Sequence, residues 1–502
     1  MGKGGSVSVK EVTAMVEDTP VNTGVACWPD PVSAAVAVRR MQTKLHRWAG
    51  EDRSRRFGDL FNLVYDPAFL VHAWQRVSGN TGSRTPGVDR ATVASIVTGV
   101  GVENFLGGIR EQLKSRTFRP VEVRQVLIPK ASGKLRKLGI PTVADRVVQA
   151  ALKAVLEPIF EADFKPCSYG FRPNRRAQDA IAEIQHMTTR GYEWVLEADI
   201  AACFDSIDHT ALMARLRERV SDKHVLALVK AFLKAGVMTQ TGDRDQTLTG
   251  TPQGGILSPL LANIALSALD DHFDDQWRTE MAGWHQRDRR RRSGQGCWKL
   301  IRYADDFVVV VSGQRQHAEA LHGQVARLIA PLGLTLAPEK TRVVGIDEGF
   351  DFLGFHIRRM RKRGTNKHYV YTIPSRMAVA VMRAKVSAAT YRSTLHQDLG
   401  QLLRRLNRML VGWANYFRHG VSKKVFNKLD YHAWRRIGSW LRRKHGRISW
   451  SQVRRRFCDQ GWRFAHNGVA FTGASSVAVT RYRYRGTRIP TPWTPNPSAA
   501  TG

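Results

Sequence analysis

An α+β fold joined to a separate basic helical bundle is what this chain of 502 residues predicts. Three observations lead there. From about residue 121 to 357, strand-like and helix-like segments alternate, as in a small sheet covered by helices. Within that region, LeuIleArgTyrAlaAspAspPheValValValVal (300–311) places two apolar runs around adjacent carboxylates. It reads as a β-hairpin, with a strand over 300–303, a tight turn carrying Asp305 and Asp306, and a strand over 307–311. Finally, Leu402, Leu403, Leu406, Leu410, Trp413 and Phe417 recur at helical spacing inside a stretch, 375–456, that holds twenty Lys or Arg and two acids, Asp398 and Asp430.

Taken in order, residues 1–40 are mixed in composition, with Pro20, Pro29 and Pro31, and are expected to be loosely ordered. Residues 41–120 read as mainly helical, broken by the Gly- and Pro-containing turn 79–87. A region over 121–360 follows. There, ValArgGlnValLeuIlePro (123–129) alternates like a strand, 146–160 has helical periodicity, and GluTrpValLeuGluAlaAspIle (193–200) is a second strand. The apolar run 256–269 is a helix, interrupted by Ser258, Pro259 and Asn263. Between 270 and 296 the chain turns hydrophilic around Arg289-Arg290-Arg291-Arg292. This stretch is read as an exposed insertion, equally a solvated loop or a phosphate-contacting arm. The basic bundle occupies 361–450. The residues 451–502, with TyrArgTyrArg (482–485) and several prolines, are read as a short β/loop cap and a Pro-rich tail.

The charge balance restricts the partners. Seventy-eight Lys and Arg against 43 Asp and Glu give +35, an excess that repels itself and calls for a polyanion. Nucleic acid is favoured over a membrane, since no run of about 20 apolar residues exists to span one. The five cysteines, Cys27, Cys167, Cys203, Cys297 and Cys458, lie far apart with no CxxC or Cys/His spacing. Neither a zinc site nor a disulfide framework is expected, and a reducing cytoplasmic setting fits.

Two carboxylates side by side at a hairpin tip disfavour joint ionisation unless a cation sits among them. Oxygen ligands suit Mg²⁺. A third acid, Asp199, ends the 193–200 strand. Alone it reads as a strand-end turn residue. If that strand neighbours the hairpin, Asp199, Asp305 and Asp306 converge, and three carboxylates can hold two Mg²⁺ ions roughly 4 Å apart for in-line phosphoryl displacement.

The order of segments resembles the group II intron-encoded reverse transcriptase/maturase family. The matching pieces are ThrProGlyValAsp (85–89), IleProLysAlaSerGlyLysLeuArgLysLeuGlyIlePro (128–141), TyrGlyPheArgProAsn (169–174), AlaAspIleAlaAlaCysPheAspSerIleAspHis (198–209) and GlyThrProGlnGlyGlyIleLeuSerProLeuLeuAlaAsn (250–263). ArgTyrAlaAspAsp (302–306), LeuGlyLeuThrLeuAlaProGluLysThr (332–341), PheLeuGlyPhe (352–355) and GlyTrpAlaAsnTyrPheArg (412–418) continue the series. They run in the family's order over roughly 60–480, and their joint occurrence makes the resemblance specific. It implies a right-hand polymerase with fingers, palm and helical thumb, the thumb being the maturase domain.

By this resemblance Asp199, Asp305 and Asp306 match the catalytic acids, and Ile200 a position whose backbone assists metal binding. Lys130 and Arg136 match the residues that hold the incoming triphosphate, one a point charge and the other a planar fork. Phe204 matches the steric gate that would clash with a ribose 2′-hydroxyl and select deoxynucleotides; on sequence alone it also reads as a core Phe. Gln253 in the 250–255 turn matches a residue at the nascent base pair. Lys340 matches a basic residue of the family and also reads as an exposed Lys. The 85–89 loop resembles an extension that grips the template, and Arg146 and Arg172 are read as structural or template-contacting. Arg418, Lys423, Lys424, Arg435 and Arg436 are candidates for RNA phosphates, or a solvated face, while Trp413 and Phe417 are expected in the bundle core.

Two departures stand out. Ala201-Ala202 replaces a position often polar in the family, and the paired Cys and His of the endonuclease domain found in some members are missing. Without those pairs, second-strand cleavage is not expected from this chain, and priming would have to use a nick or a nascent strand. The resemblance implies RNA-directed DNA polymerisation with two Mg²⁺, and binding of intron RNA, an RNA template with DNA primer, target DNA and dNTPs. The setting would be a bacterial-type cytoplasm, with nucleoid association on DNA. A domesticated or defence-linked reverse transcriptase of the same lineage and a non-catalytic RNA-splicing chaperone are the alternatives.

Overall fold

The computed structural model describes residues 27–129, 135–238, 244–245, 250, 254–459, 461–486 and 489–494. Asp30 caps the first helix, accepting from the Val32 and Ser33 amides, with Pro31 at the position where a missing N–H costs nothing. That helix, α1 (Pro31–Glu51), begins inside the segment expected to be loosely ordered. It stays ordered because Ala34, Val38, Leu45 and Ala49 form one apolar stripe against α2 (Pro67–Ser78), whose neighbour is α3 (Val102–Lys114).

Strand β1 (Val123–Pro129) pairs antiparallel with β2 (Leu135–Ile140), from Arg124↔Ile140 to Pro129↔Leu135. The nearly all-buried helix α4 (Val143–Glu161) follows, capped by Thr142. Next come α5 (Ala177–Thr188), β3 (Trp194–Asp199) and α6 (Lys223–Lys234), and then the short strands β4 (Val237–Met238) and β5 (Arg244–Asp245), which extend the β1–β2 sheet. Helix α7 (Ser258–Gln276) leads through a π-helical turn (Trp277–Met281) to the helix Trp284–Arg292. The hydrophilic stretch 270–296 is therefore helical as far as Arg292 rather than a loop, and as expected it is largely exposed from 282 to 295. Asp270, Asp274 and Met281 are buried in it, because α7 runs two turns past its apolar segment to bring those acids under the sheet.

The central sheet has the order β6-β7-β3-β8, where β6 is Cys297–Tyr303, β7 Asp306–Ser312 and β8 Arg342–Gly345. All three pairings are antiparallel. Successive strand residues face opposite ways. Leu196, Leu300, Phe307, Val309 and Val311 thus join one core with α7 and α8 (Arg315–Ile329). Val195, Ile301, Val308 and Val310 join a second core with α5, on the other face. The near-continuous apolar reading of these strands reflects cover on both sides.

A second sheet, order β11-β10-β9, is built from β9 (Phe350–Phe352), β10 (Phe355–Arg361) and β11 (His368–Pro374). The basic bundle consists of α9 (Arg376–Ala389), α10 (Leu399–Phe417) and α11 (Lys423–Lys444). Leu402, Leu403, Leu406, Leu410 and Phe417 are buried as expected from their spacing, and Trp413 is partly buried against them.

After a small hairpin, β12 (Ala465–His466) with β13 (Val469–Ala470), the chain runs back across the molecule. The Thr480 amide donates to the Arg418 carbonyl. Tyr482 Oη and the Arg485 guanidinium reach Asp179 Oδ1, both at 2.8 Å, and Tyr484 Oη reaches Glu183 Oε2 at 2.5 Å. Further on, Trp493 Nε1 donates to Gln42 Oε1 at 3.1 Å, and the Arg39 guanidinium donates to the Pro492 carbonyl. The expected Pro-rich tail is thus a strap from the bundle across α5 to α1, held by side-chain pairs hundreds of residues apart in sequence.

Candidate active site

The expected convergence of acids follows directly from register. Asp199, last residue of β3, stands opposite Asp306, first residue of β7, and Asp306 in turn pairs with Tyr303. The hairpin loop is therefore only Ala304-Asp305. Asp306 belongs to the strand rather than to the turn, which differs from the sequence reading by one residue. Ala304 adopts φ +60°, the left-handed value that the first loop position of a type II′ turn requires and that glycine adopts more easily.

The backbone beyond Asp199 is pinned from the side of the 332–337 loop. The Ala337 amide donates to the Asp199 carbonyl at 2.8 Å and the Ala201 amide to the Thr335 carbonyl at 2.9 Å, flanking the Ile200↔Leu336 bridge. Since carbonyls alternate along a strand, the Ile200 carbonyl lies on the β7 side, where the acids are. Its side chain is core.

Like charges directly opposite on paired strands repel. Burial, followed by the Asp305 and Asp199 charges and a hydrogen bond that protonated Asp306 donates to Asp199, pushes the Asp306 carboxyl up to about 7. Asp305 is raised as well, by burial first and then by Asp199, while the nearby Arg136 and Arg302 guanidiniums pull it down. Lys340 Nζ lies 2.5 Å from Asp199 Oδ2, and this partner raises the lysine above its ordinary value. Lys340 is thus placed on a catalytic-type acid rather than left as a plain surface lysine. A cleft of about 430 Å³ opens beside them, lined by Asp199, Asp306, Lys340, Arg342 and Asp351 among others.

Among the described residues no group of three or more His, Cys, Asp or Glu stands at metal-ligand spacing. The donor set itself, three carboxylates beside a backbone carbonyl, is all hard oxygen and fits Mg²⁺.

Phe204 lies in the short helix Cys203–Ser206, after Ala202 at φ +44°. It is buried in the larger core, directly beneath Gly250. A Cβ on Gly250 would come within 2.5 Å of the Phe204 carbonyl oxygen, so only glycine lets the 250 turn sit there. Arg136 is exposed on β2. Lys130 and Gln253 lie outside the described residues.

One residue that holds the site was not singled out from the sequence. Arg302 is fully buried. Its guanidinium reaches Asp270 Oδ1 at 2.8 Å and Oδ2 at 2.5 Å, Asn263 Oδ1 at 3.0 Å, Ser168 Oγ at 2.8 Å and the Ala304 carbonyl at 2.7 Å. It ties the hairpin tip to α7 and to the 168–170 segment. Gly170 completes the fit, since a Cβ there would lie 2.2 Å from the Ala304 amide nitrogen. The available signal was an arginine set between Ile301 and Tyr303, just before the paired acids, in a run that is otherwise mostly apolar, where a buried charge demands a partner.

Arg146 and Arg172 are structural. Arg146 donates to the Gly82 and Thr85 carbonyls at 2.8 and 2.7 Å, building the 82–87 loop, and Arg172 grips Glu161 Oε1 at 2.8 Å. Of the RNA-binding candidates, Lys423, Lys424 and Arg435 are exposed and Arg418 is half-buried. Arg436 Nε instead donates to Thr390 Oγ1 at 3.0 Å, and its other nitrogens donate to carbonyls at the end of α9, so it holds the bundle together. No helix among the described residues is long and apolar enough to cross a membrane.

Residues 128–357 match the family described as Reverse transcriptase (RNA-dependent DNA polymerase), and residues 379–458 the Group II intron, maturase-specific domain. Protein YkfC of Escherichia coli (strain K12) is 36% identical over 360 residues, 68% of this chain and 93% of that protein. Group II intron-encoded protein LtrA of Lactococcus lactis subsp. cremoris is 31% identical over 356 residues, 62% of this chain and 58% of LtrA. Nuclear intron maturase 1, mitochondrial, of Arabidopsis thaliana is 36% identical over 309 residues, 46% of this chain and 43% of that protein. The chain thus spans less than two thirds of the latter two.

Proposed function

Since the chain belongs to the group II intron-encoded reverse transcriptase/maturase family, we propose that it copies group II intron RNA into DNA at Asp199, Asp305 and Asp306 and also binds that RNA to assist its splicing. The observation that carries the copying role is the cross-strand pairing of Asp199 with Asp306, with Asp305 at the adjoining tip. Adjacent carboxylates, with Asp305 and Asp306 raised by desolvation and by the neighbouring acid charges, form a site that favours cations.

Asp199, Asp305, Asp306 and the Ile200 carbonyl would hold two Mg²⁺ ions. When bound, the metal supplies activation of a primer 3′-hydroxyl and neutralisation of the pyrophosphate leaving group. The chain's own residues position the reactants. Lys130 and Arg136, flanking the β1–β2 turn, would receive the triphosphate, and Gln253 would lie at the nascent pair. Lys340 neutralises Asp199 until a cation takes over that task. In the domain division proposed, 41–120 and the β1–β2 sheet form the start of the fingers, the β6-β7-β3-β8 sheet is the palm, and α9–α11 are the thumb and maturase domain. Partners would be intron RNA, a DNA primer on an RNA template, target DNA and dNTPs, in a bacterial-type cytoplasm and at the nucleoid.

Two assays on the same purified chain test this reading. One is extension of a DNA primer on an RNA template with dNTPs. The other is splicing of the cognate intron RNA at a magnesium concentration where the RNA alone is inactive. Both activities are expected; failure of both would sink the proposal. Extension without splicing would remove the maturase half, and splicing without extension the copying half.

Phe204 gives a sharper expectation. Phe204→Val removes the ring that would meet a 2′-hydroxyl, so the preference for dNTPs over NTPs in extension is expected to fall by about 10–100-fold. An unchanged ratio would make Phe204 a core residue only.

A further inference from the structure

A cavity of about 1130 Å³ lies away from the three acids. Its walls are α5, strand β11, the turn between α10 and α11, and strap residues 479–484. It is therefore on the α5 face of the central sheet. It draws on both matched regions: His186 and Arg190 come from the reverse transcriptase part, His419 and Lys423 from the maturase part.

The chemistry of the lining is one-sided. Arg190, Lys362, Lys423, Arg481 and Arg483 line it, and no Asp or Glu does. Two acids on α5 face this side, Asp179 and Glu183, and both are buried beneath the strap and bonded to Tyr482, Tyr484 and Arg485. Lys362, Arg481 and Arg483 are exposed and in no ion pair with a described residue. Aromatic faces sit between the charges. Tyr369 is 45% exposed and Tyr484 37% exposed, and Tyr484 is held flat on His186 at 4.2 Å between centroids and 17° between planes. Seating that ring on an imidazole, with its hydroxyl tied to Glu183, fixes it with little entropy left to lose.

Exposed cations interleaved with aromatic rings, Lys362 lying over Tyr369 and Tyr484 held on His186, form a surface that tracks a phosphate backbone and stacks bases. The volume exceeds the about 300–1,000 Å³ of small-molecule sites. We propose that this cavity is a second nucleic-acid site, which takes a short single-stranded RNA segment of several nucleotides and thereby fixes the strap, palm and maturase domain on one RNA. The inference rests on the maturase reading above and gives that role a location. An acidic protein segment would meet the same charges but would leave the stacking faces unused.

The test uses the full chain and a 10-nucleotide, 5′-fluorescent single-stranded RNA of mixed sequence, followed by anisotropy from low to high salt. The variant Lys362→Gln/Arg481→Gln/Arg483→Gln removes three phosphate contacts. It is expected to reduce the slope of log affinity against log salt by about 2, at roughly 0.7 per contact for single strands. Primer extension by this variant is expected to stay at the parent level, so failure of the copying role would be seen separately. A charge-matched control at exposed residues outside the cavity lining, Arg40→Gln/Arg53→Gln/Arg56→Gln, is expected to leave the slope unchanged. Equal loss in both variants would reduce the effect to net charge and overturn the proposal, as would no loss in the first.

A second measurement needs no variant. The same RNA carrying 4-thiouridine, crosslinked to the unmodified protein, should label peptides containing Tyr369 or Tyr482–Tyr484. Crosslinks confined to other peptides would overturn the assignment.

Discussion

Replacing Arg302 by methionine is expected to lower the folding stability by about 3–5 kcal/mol, the cost of leaving one member of a buried ion pair behind. Asp270 is fully buried and bonded to Arg302 through both oxygens. Once the guanidinium is gone, that carboxylate must either stay charged in an apolar place or take up a proton. Ser168, Asn263 and the Ala304 carbonyl lose partners as well. Chemical denaturation of Arg302→Met beside the parent chain measures the loss, and a change below about 1 kcal/mol would contradict it. The double variant Arg302→Met/Asp270→Leu removes both charges, so much of the stability should return. Polymerase activity should not return with it, because the Ala304 carbonyl still lacks the anchor that sets the hairpin tip. Recovery of both together would mean that Arg302 serves the fold alone.

Asp305→Ala is expected to reduce RNA-templated primer extension by about 10³-fold or more, in line with removal of a group that positions charge stabilisation in the transition state. Because Asp305 sits in a two-residue loop and pairs with no strand, the fold should survive and splicing should persist. Extension at the parent level would refute the site.

The same substitution has a signature in pH. Asp306 stands at about 7 in the folded chain against 3.8 for an ordinary aspartate. A group raised on folding binds more protons in the folded state between those values. Stability in metal-free buffer therefore declines as pH climbs from about 4 to about 7. Burial, the largest cause, persists in Asp305→Ala, while the Asp305 charge disappears, so the decline should become shallower. A steeper decline in thermal melts across that range would contradict the arrangement of the three acids.

The site was legible in the sequence to the extent that its chemistry is local. The hairpin announced itself by two apolar runs around paired acids, and Asp199 by its place at the end of another apolar run. Only the register was off by one: a two-residue loop closes the hairpin, so Asp306 is a strand residue opposite Asp199. What escaped notice depends on distant partners. Asp270 and Asp274 looked like the start of a hydrophilic insertion, because nothing nearby shows that Arg302 and the underside of the sheet are waiting for them. Arg436 looked like its exposed neighbours, yet the carbonyls that occupy it end a helix more than forty residues earlier. The segment after 477 looked like a tail, since Asp179, Glu183 and Gln42, which hold it, are hundreds of positions away.

That last arrangement carries a mechanical consequence. Any movement of the basic bundle against the central sheet must take the segment after 477 along with it. A belt buckled at Asp179 and Glu183, with a further hold on Gln42, couples the bundle's exit to α5 and α1, so loosening those buckles should free the bundle first.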